Sequence, residues 1–431
     1  MARNSDADAL IAFLNASPTP FHAVETAVTR LKALGAIALD EKASWSIGSL
    51  KPGQIAYVVR NQSSIVALRI PAHPAKAEIS FRIAAAHTDS PCLKLKPHTP
   101  DPSANYVQWG VEVYGGVLYN SWLDRDLGVA GRISRATEHG VHSQLVRVED
   151  RPFRIPQLAI HLDRSVNENG LVLNAQRHLM PIVGLINPAG HSFEAWLMES
   201  AGALMENLTF ELHLYDKTPA GYGGFDDEFV FSGRLDNLAM SHATLEAFCQ
   251  TPPSDSLIQV AALFDNEEVG STSTQGANSN LIDVVLERIL LALGKTREEA
   301  MAARARSYLI SADMAHAIHP NYPEKHEPDH FPLINHGPVI KSNVNMRYAT
   351  NSETSAQFKT WCRHAGVPVQ DFVNRTDLAC GTTIGPHVAA ALGIPTVDVG
   401  NPMLSMHSAR EMCGSEDHGL MIRVLQEFFR A

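Results

Sequence analysis

The stretch Leu257–Gly270 reads L-I-Q-V-A-A-L-F-D-N-E-E-V-G. Leu257–Phe264 is an apolar run of strand length, the pattern of a strand buried on both faces. Where the run stops, Asp265, Glu267 and Glu268 follow at once. Strands of this kind belong to parallel sheets covered by helices, and ligands of such sheets gather outside the carboxyl ends of the strands. One apolar run with acids at its end thus suggests both a fold class and a place to look for chemistry.

Working outward, helical periodicity over Leu238–Cys249 and Leu281–Leu293 brackets that strand. Downstream, Ser307–Ala312, Gly337–Lys341, Val367–Val373 and Thr396–Val399 read as strands. Between them lie a helix opened by a capping box at Thr350-x-x-Glu353 and a second, Pro386–Leu392, closed by Gly393. Leu420–Phe429 is the terminal helix. Upstream, Phe21–Leu34 repeats Val24, Val28 and Leu31 before Gly35, and Ile55–Arg60, Ser64–Ile70 and Phe81–Ala86 are strands.

The middle of the chain changes character. Val107–Tyr114 alternates until Gly115-Gly116, and Gly131–Ser134, Gln144–Val148 and Gln157–Leu162 follow as short strands. Helical periodicity is scarce there except around Phe193–Glu206. The expected architecture is α/β: a mostly parallel sheet with helices on both faces, built from residues 1–93 and 228–431. An inserted, mostly β domain occupies 94–227.

Composition narrows the function. The chain has 431 residues, 45% hydrophobic and 19% charged, which excludes a disordered protein. A net charge of −11 argues against nucleic acid or an anionic membrane as partner. No apolar run has the length of a membrane span, and the N-terminus lacks an apolar signal core, so the expected location is the cytoplasm. Five cysteines, without C-x-x-C spacing, make neither a disulfide framework nor a zinc knuckle. Twenty histidines are the one oddity.

Some of those histidines, with acids, stand at strand ends. Phe81–Ala86 leads into His87-Thr88-Asp89, Phe229–Phe231 into Gly233-Arg234-Leu235-Asp236-Asn237, and Leu257–Phe264 into Glu267-Glu268. Ser307–Ala312 leads into Asp313, and Thr396–Val399 toward Met406-His407. Two imidazoles and three carboxylates suit a pair of borderline divalent ions, zinc first, with manganese or cobalt also fitting. Two such ions need a bridging carboxylate, because their mutual repulsion must be neutralised. His87 and Asp89 share a side of an extended segment, so Asp89 can accept the second imidazole N–H of His87. Glu267 and Glu268 are adjacent and need different tasks, one on metal and one on a proton. Each motif alone has an ordinary reading: a loop histidine, an N-cap at Asp236, a solvated helix entrance. Their recurrence at successive strand ends is what those readings do not explain.

Taken together, A-H-T-D-S-P at Ala86–Pro91, G-R-L-D-N at Gly233–Asn237, D-N-E-E-V-G-S at Asp265–Ser271, S-A-D-M-A-H-A-I-H-P-N-Y at Ser311–Tyr322 and M-H-S-A-R-E at Met406–Glu411 closely resemble the aspartyl aminopeptidase family of dizinc metallopeptidases. S-P-T-P-F-H-A-V at Ser17–Val24, G-P-V-I-K at Gly337–Lys341 and G-T-T-I-G-P at Gly381–Pro386 match in order. The resemblance implies His87 and Asp313 on one metal, Glu268 and His407 on the other, and Asp236 bridging them. It implies Glu267 as general base and Asp89 as the orienting acid. It further implies peptide substrates with acidic N-termini, Lys341 near the substrate, and His161 lent by a partner subunit. The inserted domain would make dimers, and the assembly would be a homo-oligomer, a dodecamer of such dimers. The competing readings are another dizinc amide hydrolase, such as a carboxypeptidase or N-deacylase, and a catalytically inert structural relative.

Overall fold

In the computed structural model Leu257–Phe264 is a strand with every residue buried. Its side chains divide between two cores: Ala261 and Leu263 face one, and Ile258, Val260, Ala262 and Phe264 face the other. Residues 4–46, 48, 50–74, 78–98, 102–186, 195–197, 199 and 209–431 are described. The helix expected around Phe193–Glu206 falls mostly outside them.

Nine strands form the central sheet: β1 (Ile37–Ala38), β2 (Ile55–Arg60), β3 (Ser64–Arg69), β4 (Ser80–His87), β5 (Leu257–Phe264), β6 (Tyr308–Ala312), β7 (Val339–Ser342), β8 (Gln370–Val373) and β9 (Thr396–Gly400). Their order is β1-β2-β3-β5-β4-β6-β9-β7-β8. The inner run β5-β4-β6-β9 is parallel throughout, so these carboxyl ends share one edge. The sheet is mixed, because β3 runs antiparallel to both neighbours and β7 runs antiparallel to β9. One face packs on helices including Ser5–Ala16, Leu235–Gln250 and Asp417–Arg430, and the other on Leu281–Ala292, Arg297–Ala305 and Ile384–Leu392. Helices on both faces are what an apolar strand such as β5 requires.

Two local expectations fail for stated reasons. The helix Ser352–His364 is capped by Asn351, whose side chain accepts the N–H groups of Glu353 and Thr354. Thr350 serves β9 instead, its hydroxyl accepting the Asp398 N–H at 2.9 Å. Gln157–Leu162 is not a strand: its only regular piece is the 3-10 turn Ile160–Leu162, and its side chains are exposed.

The chain separates into two units, Met1–Asp89 with Ala220–Met406 and Glu411–Ala431, and Ser90–Pro219 with His407–Arg410. The longer segment of the second, Ser90–Pro219, therefore begins and ends earlier than the expected 94–227, and His407–Arg410 is added to it. Cys92–Leu95 is already a strand of its sheet, while Gly221–Gly223 pairs with Phe229–Ser232 in the first unit. That second unit holds an antiparallel sheet in the order Val111–Tyr114, Cys92–Leu95, Thr209–Asp216, Leu127–Thr137, Gly140–Phe153. Trp109, Leu93, Ile133, Leu212 and Leu214 fill its core.

Candidate metal centre

The neighbouring carboxyl ends of β5, β4 and β6 bring His87, Glu267, Glu268 and Asp313 together. Asp236 joins them from the start of the Leu235–Gln250 helix, where its φ of −82° and ψ of 105° are non-helical. His87 is central: its Nε2 lies 3.6 Å from Asp236 Oδ1, 3.7 Å from Asp313 Oδ1 and 3.9 Å from Glu267 Oε2. Two overlapping donor sets result, His87–Glu267–Asp313 and His87–Asp236–Glu268, each with its ligand atoms within 4.8 Å of one another. The edge is tightly built. A Cβ on Gly400 at the end of β9 would sit 1.7 Å from the Asp313 carbonyl oxygen, so no side chain fits there.

Asp89 acts on both sides of this cluster. Its carboxylate accepts the N–H of Glu267 and of Glu268, each at 3.1 Å, which fixes the turn carrying both acids. The Nδ1 of His87 lies 3.1 Å from the Asp89 main-chain oxygen and 3.3 Å from its Oδ1. The imidazole thus meets the carbonyl of Asp89 as well as the carboxylate that the sequence suggested. Either contact places the Nδ1 proton and leaves Nε2 facing the acids.

Crowding marks the electrostatics. Burial opposes a charged His87, but Asp313, Asp89 and Glu267 outweigh it and hold the imidazole well above the usual histidine range. Burial, then Asp313, Asp89 and Asp236 against the pull of His87, push Glu267 up to about 8. Burial and the Asp236 charge push Glu268 well above the carboxylate range. Asp313 goes the other way: burial would raise it, yet Lys341 and His87 hold it low. Five carboxylates, Asp89 included, around one buried imidazole are an unfavourable arrangement without further positive charge. An imidazole with carboxylate oxygens is also a donor set that zinc accepts. The residues present fit a divalent metal.

Lys341 is 2% exposed, and the structure gives it partners that the sequence did not reveal. Its Nζ lies 3.4 Å from Asp313 Oδ2, donates to the Met314 carbonyl at 3.1 Å and stands 5.2 Å from the Tyr348 ring centre. The remaining two expected residues are carried by the second unit. His407 Nδ1 donates to the Gly116 carbonyl at 3.0 Å, which places the ring proton on Nδ1. His161 is exposed on the Ile160–Leu162 turn.

Sequence reasoning missed three buried supports. Glu411 Oε2 accepts the Asp236 N–H, Asn237 Nδ2 donates to the Ala312 carbonyl, and Ser241 Oγ donates to the His87 carbonyl. Glu411 and Asn237 stand inside motifs already singled out, but nothing in their spacing shows a main-chain partner.

Residues 13–429 match the family model described as Aminopeptidase I zinc metalloprotease (M18). A Ricinus communis protein named probable aspartyl aminopeptidase is 43% identical over 467 residues, covering 98% of this chain and 94% of its own. A structure described as the cryo-EM structure of the Ape4 and Nbr1 complex is 41% identical, with a TM-score of 0.92 over 99% of this chain and 85% of that one. The structure of the S. cerevesiae mApe1 dodecamer is 30% identical, with a TM-score of 0.85 over 99% of this chain and 96% of that one. No helix among the described residues is long and apolar enough to cross a membrane. With a family match over nearly its whole length and a buried histidine–carboxylate cluster at the sheet edge, the chain belongs to the M18 family of zinc metalloproteases and is an aminopeptidase.

Proposed function

We propose that the enzyme works with two divalent ions, zinc by preference, and removes acidic residues from peptide N-termini. The observation that carries this reading is the convergence of His87, Asp236, Glu267, Glu268 and Asp313 at one buried sheet edge. His87 and Asp313 would hold one ion, Glu268 and His407 the other, with Asp236 between them. The ions supply electrophilic polarisation of the scissile carbonyl and acidify the attacking water. Glu267 takes the proton of that water and returns it to the leaving amine. Burial and the neighbouring acids raise Glu267, and positive charge nearby would lower it again, which favours the carboxylate that a general base needs. Asp89 keeps His87 and the Glu267-Glu268 turn oriented through the contacts described above.

Acidic preference rests on Lys341 and on the name of the Ricinus communis relative. An ammonium has three N–H donors. Met314 takes one and Asp313 lies beside the group, so a third donor can meet a substrate carboxylate. The assembly would be a dodecamer built from dimers; the S. cerevesiae mApe1 relative is described as a dodecamer. In it the second unit would serve as the dimerisation domain and lend His161 to the substrate site of a partner. Exposed Leu158, Ile160 and Leu162 around His161 suit such an interface. None of the five cysteines, all among the described residues, forms a disulfide, which fits the cytoplasm.

A panel of aminoacyl anilides tests the reading. Asp- and Glu-anilides should be cleaved, their N-acylated counterparts should not, and a chelator should abolish activity that zinc, manganese or cobalt restores. Cleavage of the N-acylated compounds at equal rates would overturn it.

A further inference from the structure

Asp236 sits in the first turn of its helix, where backbone N–H groups have no acceptor within the helix. Its N–H donates instead to Glu411 Oε2, 3.2 Å away. Glu411 begins the strand Glu411–Gly414, pairs with Ser232 across the ladder to Phe229–Ser232, and is buried. Two further tethers run from the same helix. Asn237 Nδ2 reaches the carbonyl of Ala312, one residue before Asp313, at 2.9 Å. Ser241 Oγ reaches the carbonyl of His87 at 2.6 Å. Three hydrogen bonds, one from the Asp236 main chain and two from the Asn237 and Ser241 side chains, thus tie the start of this helix to a buried acid and to the strand ends at His87 and Ala312.

We infer that Glu411 is a positioning residue of the metal centre: it holds the Asp236 main chain in the conformation that presents the bridging carboxylate. This rests on the bridging role given to Asp236. A bridging ligand must meet two ions at once, so a small rotation about its backbone weakens both contacts. Glu411 has the reach to accept the N–H from across the ladder. An amide oxygen of the same length can do the same, and an apolar side chain cannot.

The test is zinc affinity by competition with a chelator, on wild type, Glu411→Gln and Glu411→Met, with thermal unfolding of each metal-free protein alongside. Partners that support metal ligands are typically worth about 10–100-fold in affinity. Glu411→Met should bind zinc about 10–100-fold more weakly than wild type. Glu411→Gln should recover most of that loss at similar metal-free stability. Glu411→Met binding zinc within about twofold of wild type would overturn the inference, as would Glu411→Gln binding no better than Glu411→Met. If Glu411→Met does not fold, Glu411→Asn decides, because it keeps an acceptor too short to reach Asp236; unchanged affinity there would also overturn the inference. Wild type that takes up fewer than two ions would instead refute the two-metal reading, whatever the Glu411 variants do.

Discussion

Replacing Lys341 with Met removes a buried cation while keeping most of the side-chain volume. Nζ stands 3.4 Å from Asp313 Oδ2, and the two side chains are only 3% and 10% exposed. At that separation an effective dielectric constant of about 20 gives roughly 5 kcal/mol of attraction. Removing one partner of a buried pair costs about 3–5 kcal/mol in comparable cases. Asp313 is held low because Lys341 and His87 outweigh its burial. A depressed carboxyl contributes stability that is present above its unfolded value and lost as pH falls through the folded one. Lys341→Met should therefore lower the stability of metal-free protein at pH 7, and lower kcat/KM for every substrate through Asp313. A second loss should be selective: a charge-assisted contact is worth about 1.5–3 kcal/mol, or roughly ten- to hundredfold. The assay is kcat/KM for Asp-, Glu-, Ala- and Leu-anilides at saturating zinc, with wild type and variant. All four should fall, and Asp and Glu should fall further by that factor. A lysine is a point charge, so Asp and Glu should be separated only weakly. Equal losses on all four would refute the contact with the substrate side chain, and unchanged metal-free stability would refute the pairing with Asp313.

Glu267→Gln should keep the zinc content and lower kcat by about 10²–10⁴-fold, the usual worth of a general base; activity within a few-fold of wild type would mean that another group takes the proton. Light scattering should find an assembly far larger than one 47.0 kDa chain, and a stable monomer at micromolar concentration would contradict the dodecamer and the His161 contribution together. His242 and His418 form a buried imidazole pair at 2.8 Å, with burial and then Arg30 holding His242 at about 3, and burial and then His242 holding His418 well below the usual range. Below pH 6.5 the unfolded chain then binds more protons, so stability should fall with pH by up to about 1.4 kcal/mol per unit for each group. His418→Gln should make that fall shallower in urea titrations between pH 7 and 4; an unchanged slope would remove the pair as its cause.

The strands were legible where burial on both faces leaves an uninterrupted apolar run, as at Leu257–Phe264, whose observed limits coincide with the reading. Alternation was less informative. Val107–Tyr114 looked continuous, yet it divides into Tyr106–Gln108 and Val111–Tyr114, which pair in different sheets. The helix Ser5–Ala16 was missed, because its cap is a single Asn4 side chain accepting the Asp6 N–H, with no capping box or proline to announce it. At the centre, acids and histidines at strand ends were visible because the residue types are costly to bury and recur at one edge. What they touch was not visible. The pairing of Lys341 with Asp313 joins β7 to the end of β6, and Glu411 meets Asp236 across 175 residues of sequence. Contacts of that range come from the sheet order, which no local pattern encodes.

The central claim is a two-ion centre bridged by Asp236, and zinc content per chain tests it most directly. Wild type dialysed against zinc and analysed for metal should carry about two ions per chain. Asp236→Asn should carry markedly fewer, because one substitution weakens both sites while the fold persists. One ion or none in active wild-type enzyme, or two retained by Asp236→Asn at wild-type affinity, would contradict the account.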